Sequence, residues 1–161
     1  MAAKRDSKAK KVTGGCLCGA VRYESTDAPA GAAYCHCRMC QRQVGGPAGI
    51  FVSFPLDKFR VTRGRLKRYQ SSPIAKRGFC ARCGTPISCE SIEHATTIAI
   101  TIGSLDNPAI VKPSSHWGVE SQLDWFEAGK GLPRNKTPED PRVSKVAAKI
   151  RRGELLPARN V

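Results

Sequence analysis

Seven of the eight cysteines fall into three groups whose spacing suits soft-metal binding: Cys16-Leu17-Cys18-Gly19, Cys35-His36-Cys37-Arg38-Met39-Cys40 and Cys80-Ala81-Arg82-Cys83-Gly84. The eighth, Cys89, stands alone. In an extended segment residues i and i+2 face the same way, so a C-x-C pair presents two sulfurs on one side of the chain. C-x-x-C-G reads as a knuckle, a tight turn that presents both sulfurs and ends on a residue tolerant of unusual backbone angles. Zinc in a closed structural site takes four such ligands in a tetrahedron.

The groups supply two, three and two sulfurs. The economical partition joins Cys16 and Cys18 to Cys80 and Cys83 in one structural zinc site that ties distant parts of the chain together. Cys35, Cys37 and Cys40 then hold a second zinc with a fourth position open to a ligand, the feature that separates reactive zinc from structural zinc. In a different reading of the same residues, Cys89, His36 or His116 closes the second site and both ions are structural. Spacing leaves both readings open. Metal is expected over disulfides because residues 1–11 are charged and lack the apolar stretch of a secretory signal. A cytoplasmic, reducing setting keeps thiols free.

These groups must be positioned by a fold that reads as mainly β, with several short strands broken by Gly and Pro. Val21-Arg22-Tyr23-Glu24 alternates. Gly49-Ile50-Phe51-Val52-Ser53-Phe54 is a β-branched and aromatic run stopped by Pro55. Ile98, Ile100 and Ile102 alternate with Thr97, Ala99 and Thr101, so one face of that strand is apolar. Phe59-Arg60-Val61 and Leu66-Lys67-Arg68-Tyr69 flank a candidate hairpin turn at Thr62-Arg63-Gly64-Arg65. Helices are minor: one or two turns over Arg38 to Val44, and a C-terminal helix opening at Asp140-Pro141 and buried through Val143, Val146, Ala147 and Ile150.

The 161 residues suffice for one domain with a core. The expected division is a disordered basic arm over 1–11, a zinc-binding domain over 12–135, and a basic extension over 136–161. The formal charge is +14, and the two terminal segments carry more than half of it. Such a surface attracts nucleic acid, anionic membranes and small anions alike. No run approaches the roughly 18 apolar residues of a membrane-spanning helix, so no membrane partner is expected.

Several segments together resemble the glutathione-dependent formaldehyde-activating enzyme family, which extends to the related domain of centromere protein V. Gly14-Gly15-Cys16-Leu17-Cys18-Gly19-Ala20-Val21-Arg22-Tyr23 looks like its opening motif. Cys35-His36-Cys37-Arg38-Met39-Cys40-Gln41 and Phe79-Cys80-Ala81-Arg82-Cys83-Gly84-Thr85-Pro86 look like its two later cysteine motifs. Gly103-Ser104-Leu105-Asp106-Asn107-Pro108, His116-Trp117 and Trp125-Phe126 resemble further landmarks, in order. The resemblance implies coiled antiparallel sheets (a β-tent) organised around two zinc ions. It implies structural ligands at Cys16, Cys18, Cys80 and Cys83, and catalytic ligands at Cys35, Cys37 and Cys40. It also implies a carbon–sulfur lyase-type activity on thiol adducts, such as glutathione plus formaldehyde giving S-(hydroxymethyl)glutathione. Gln41 departs from the arginine often found there, and Cys89 receives no role.

Other residues carry blander expectations. His36, between two ligands in a strand, should point away from them. His116-Trp117 could line a pocket, although a buried Trp is more often core; Asp106 is expected at a turn and His94 on the surface. Arg38 and Arg42 could hold substrate carboxylates. In the basic stretch Lys58, Arg60, Arg63, Arg65, Lys67 and Arg68, Arg63, Arg65 and Lys67 could share one strand face and bind an anion, but a solvated face is the favoured reading. A non-catalytic, zinc-stabilised module binding nucleic acid or another anionic partner is the competing function. It is disfavoured because no aromatic stacking series interleaves with the basic residues.

Overall fold

The protein is described by a computed structural model covering residues 11–93, 96–126 and 132. The basic arm before Lys11, His94, and the C-terminal extension with its expected helix lie outside the described residues.

The chain runs β1 (Val12–Gly15), β2 (Arg22–Ser25), β3 (Gly31–Cys35), α1 (Arg38–Val44), β4 (Gly49–Pro55), β5 (Phe59–Arg63), β6 (Leu66–Ser72), β7 (Ala75–Cys80), β8 (Pro86–Ser91), β9 (Thr97–Thr101) and β10 (Ser115–Trp117). The fold is mainly β, as the alternation and turn residues imply. Three strands form one antiparallel sheet in the order β1-β2-β5. Seven form a second in the order β10-β3-β4-β9-β8-β7-β6.

Two expectations need correction. The larger sheet is mixed, because β10 lies parallel to β3 at its edge. A long connection carries the chain back after β9, and the ladder is extended when the His36 amide donates to the Trp117 carbonyl at 2.7 Å. The expected hairpin over 59–69 does not form either: β5 pairs with β2 and β6 pairs with β7. At Gly64 the chain crosses between the sheets, with φ +70° and its α-carbon pressed on the Ala20 carbonyl so closely that a β-carbon would collide. Glycine tolerates that left-handed angle, and the charged residues around it are equally compatible with a crossing. Arg63 and Lys67 therefore belong to different sheets, and Arg63 donates to the Gly19 carbonyl.

The core lies between the sheets. Val52 and Phe54 of β4 and Ile98 and Ile100 of β9 are register partners, all at most 2% exposed. Burial of each such side chain contributes about 1.5–3 kcal/mol relative to exposure. From the smaller sheet Tyr23 packs against Phe59, ring centroids 5.2 Å apart, and its hydroxyl pairs with Ser104 Oγ at 2.7 Å. Strand periodicity places the alternate residues on the other face. There a single row crosses the larger sheet through register partners: Gly31, Ser53, Ala99, Cys89, Arg77 and Tyr69. That face, away from the core, carries α1 and the central cysteines.

Candidate metal centre

The two cysteine sets form where the sequence spacing placed them. Cys16, Cys18, Cys80 and Cys83 bring their sulfurs within 4.8 Å of one another, and so do Cys35, Cys37 and Cys40. All eight cysteines are free thiols.

The quartet joins the two sheets. Cys16 and Cys18 follow β1 in the smaller sheet, and Cys80 ends β7 in the larger one. Each half is a tight turn: the Gly19 amide donates to the Cys16 carbonyl at 3.0 Å, and the Gly84 amide to the Cys80 carbonyl at 2.9 Å. The Val21 amide donates to Cys16 Sγ at 3.2 Å. Thr85 stitches the halves together, accepting from the Leu17 amide at 3.1 Å and lying 3.1 Å from Cys83 Sγ. Burial pushes Cys80 up to about 11. Burial also opposes ionisation of Cys83, but the Thr85 hydroxyl and the amides of Thr85 and Cys18 outweigh it and bring that thiol down to about 6.

The trio is local to one corner. Cys35 ends β3, Cys37 precedes α1 and Cys40 lies in its first turn. Desolvation raises both Cys35 and Cys40. It also acts on Cys37, but the backbone of Cys40, the neighbouring thiols and the Met39 amide outweigh it and lower that thiol. A cysteine at the start of a helix is a usual place for a depressed value.

Sulfur spacing tests whether a metal fits. Tetrahedral coordination at a Zn–S distance of about 2.3 Å places the sulfurs about 3.8 Å apart. The Cys16–Cys18, Cys18–Cys80 and Cys35–Cys37 sulfurs are 3.6, 3.9 and 3.5 Å apart. A disulfide needs about 2.05 Å. Both clusters therefore fit a tetrahedral thiolate metal.

Among the described residues no fourth His, Cys, Asp or Glu joins the trio within that 4.8 Å grouping. His36 is fully buried and turned away, pairing through Nε2 with His116 Nδ1 at 2.9 Å. The two rings stack, with Tyr34 against His116 at 4.9 Å and Phe126 edge-on to His36 at 4.8 Å. The histidines thus brace β3 against β10. Cys89 sits on β8 and lines the same cavity of about 480 Å³ as Cys35 and Cys40. Small residues of the sheet face, Ala33, Ser53 and Ala99, make its floor, and Phe51 and Trp117 also line it. Trp117 is 67% exposed, so it is a cavity wall and not a core residue.

Sequence reasoning missed Arg77. Its side chain is buried on the sheet face, with Nη1 3.6 Å from Cys40 Sγ and 2.8 Å from Gln43 Oε1, and Nε 3.1 Å from Ser71 Oγ. Burial works against its charge, but the sulfurs of Cys89 and Cys40 outweigh this and raise its pKa. Only register across β7 and β8 brings it beside the trio, a signal that a lone arginine in a strand cannot give. Gln41 is buried and donates to the Ser121 carbonyl at 2.9 Å while accepting from Arg38, so it anchors α1. Asp106 is no turn cap: it pairs with Arg22 and accepts from Thr13, and Asn107 caps the turn through the Ala109 amide.

The model of the glutathione-dependent formaldehyde-activating enzyme family matches residues 11–121, more than half of the chain. The chain belongs to that family. Membership brings a formaldehyde-activating, glutathione-related function class with it. Both cysteine clusters of this family member lie inside the matched span. No curated protein matches the chain. A solved structure, the crystal structure of a Rhodobacter sphaeroides protein from a structural genomics programme, is similar at 28% identity and a TM-score of 0.53, covering 65% of this chain and 98% of that one. Among the described residues no helix is long and apolar enough to cross a membrane.

Proposed function

We propose that the protein is a zinc-dependent enzyme of carbon–sulfur lyase type, joining a thiol to formaldehyde and reversing that step. Glutathione giving S-(hydroxymethyl)glutathione is the reference reaction. Cys16, Cys18, Cys80 and Cys83 hold a structural zinc, and Cys35, Cys37 and Cys40 hold the reactive one. The observation that carries this reading is the trio itself: three convergent thiols, no fourth protein ligand grouped with them among the described residues, and a cavity alongside.

Cys35, Cys37 and Cys40 would hold the ion, and a zinc held by three thiolates would be soft, favour sulfur, and supply a deprotonated, nucleophilic form of a bound thiol at neutral pH. The chain does the rest. The cavity floor of Ala33, Ser53 and Ala99 leaves room for a small adduct above the sheet, and Phe51 and Trp117 give it an aromatic wall. In the forward direction the substrate sulfur bonds to the carbonyl carbon, the π pair moves to the oxygen, and that oxygen takes up a proton. In reverse the C–S bond breaks, the hydroxyl gives up its proton, and thiol and formaldehyde are regenerated. Arg77 holds Cys40 and, through Gln43, the helix that carries it. Its positive charge offsets the net negative charge that three thiolates leave on a divalent ion.

The test is exchange NMR with ¹³C-formaldehyde and glutathione. Zinc-loaded protein should speed formation of the S-hydroxymethyl adduct over the uncatalysed rate, and Cys40→Ser should abolish the gain. Equal rates with and without the zinc-loaded protein refute the proposal.

A further inference from the structure

A second cavity, of about 600 Å³, opens over the same sheet face, with Arg77 in its lining and none of the cysteines. Its volume falls in the range of small-molecule sites. Residues from α1 (Met39, Arg42, Gln43) and from β6 and β7 (Lys67, Tyr69, Phe79) line it, and none of its lining residues is acidic. The cationic side chains there differ in what already balances them. Arg68 is paired with Glu90 at 3.0 Å. Arg77 faces the sulfurs of the trio. Among the described residues Arg42 and Lys67 meet no carboxylate. Among the described residues the cavity therefore presents two positive charges with no carboxylate partner, beside an apolar and aromatic wall.

Ordinary solvated lysines and arginines spread over a convex face. Here they rim a concavity, and Arg77, only 6% exposed and fixed by three partners, cannot swing away into solvent. Low-dielectric walls concentrate the field of such a rim and raise the local concentration of anions. We propose that this cavity is a binding site for a small dianionic oxyanion, a phosphate monoester or a dicarboxylate, carried on an apolar or aromatic body. Arg42 and Lys67 hold the oxyanion by charge-assisted hydrogen bonds. Met39, Tyr69 and Phe79 take the body. The site contains none of the cysteines, and its existence does not depend on the reaction at the trio.

The experiment is isothermal titration calorimetry of the zinc-loaded full chain at fixed ionic strength, with phenyl phosphate and with phthalate as probes. At least one should bind saturably, one per chain. Whichever is tighter names the oxyanion. The double variant Arg42→Ala/Lys67→Ala should bind at least about tenfold more weakly, the loss of two hydrogen bonds to charged groups. Arg65→Ala/Lys112→Ala removes the same charge outside the cavity and should bind as the parent does. Zinc content and the melting temperature show that each variant is folded. Absence of saturable binding overturns the proposal. So does an equal loss in both double variants, which would assign the binding to the general positive field.

Discussion

Arg77 places a buried positive charge against Cys40 Sγ, with neutral Gln43 and Ser71 as its other hydrogen-bond partners. A buried cation of this kind is costly unless paired, and the sulfurs of the trio would pair with it once a metal holds them as thiolates. Groups that hydrogen-bond to metal ligands typically contribute a factor of about 10–100 in metal affinity. Arg77→Met should therefore weaken metal binding at the trio by about that factor and leave the quartet unchanged, as read by chelator competition for each equivalent. Arg77→Lys should recover part of the loss. A different ion pair has a pH signature. The Arg22 guanidinium holds the Asp106 carboxyl below its ordinary range. The stability this gives is present above the unfolded value of about 3.9 and is lost as the pH falls through the lower folded value. Asp106 is 44% exposed, so the pair is worth less than about 1 kcal/mol. The melting-temperature gap between the parent and Asp106→Asn should be open at pH 6 and should close below the folded value.

At the scale of elements, β10 and the loop after it lock the trio. Gly118 has φ +65°, and a β-carbon there would lie 2.7 Å from the Cys37 amide nitrogen. Gly118→Ala combines a left-handed strain of about 1–2 kcal/mol with that clash. It should lower the melting temperature and the metal content of the trio together, measured by calorimetry and metal analysis. Behind the sheet, Phe54 is fully buried opposite Ile98. Phe54→Ala should cost about 3–5 kcal/mol in chemical denaturation. Much of this level could be read directly from residues. The run ending at Pro55 is β4, and Arg38–Val44 is the helix. The alternation at Ile98 and Ile100 points into the core. The period broke at Ile102, where the strand gives way to a 3-10 turn. Strand partners were harder to read. Phe59 to Tyr69 looks like a hairpin because local pattern says nothing about which sheet each strand joins. β5 pairs with β2 and β6 with β7, so each strand's partner lies outside this segment, where its local pattern cannot report it.

For the whole molecule, the sequence groups of two, three and two cysteines foretold two clusters, because turn spacing is local. The same grouping also foretold that the quartet ties distant parts of the chain together, but not that those parts belong to different sheets. The quartet crosses between the two sheets, from the β1–β2 turn to the end of β7. The trio lies within one β3–α1 corner of one sheet. Arg77, the His36–His116 pair and the cavity at Cys89 depend on strand register and left no local trace.

That difference in reach separates the two metals experimentally. The measurement is zinc content with thermal unfolding for Cys37→Ser beside Cys80→Ser. The account predicts that Cys37→Ser loses about one zinc equivalent and still unfolds cooperatively, whereas Cys80→Ser loses the cooperative transition because its metal ties the sheets. Collapse of the fold in Cys37→Ser, or retention of both ions by it, would contradict the assignment of a reactive centre to Cys35, Cys37 and Cys40.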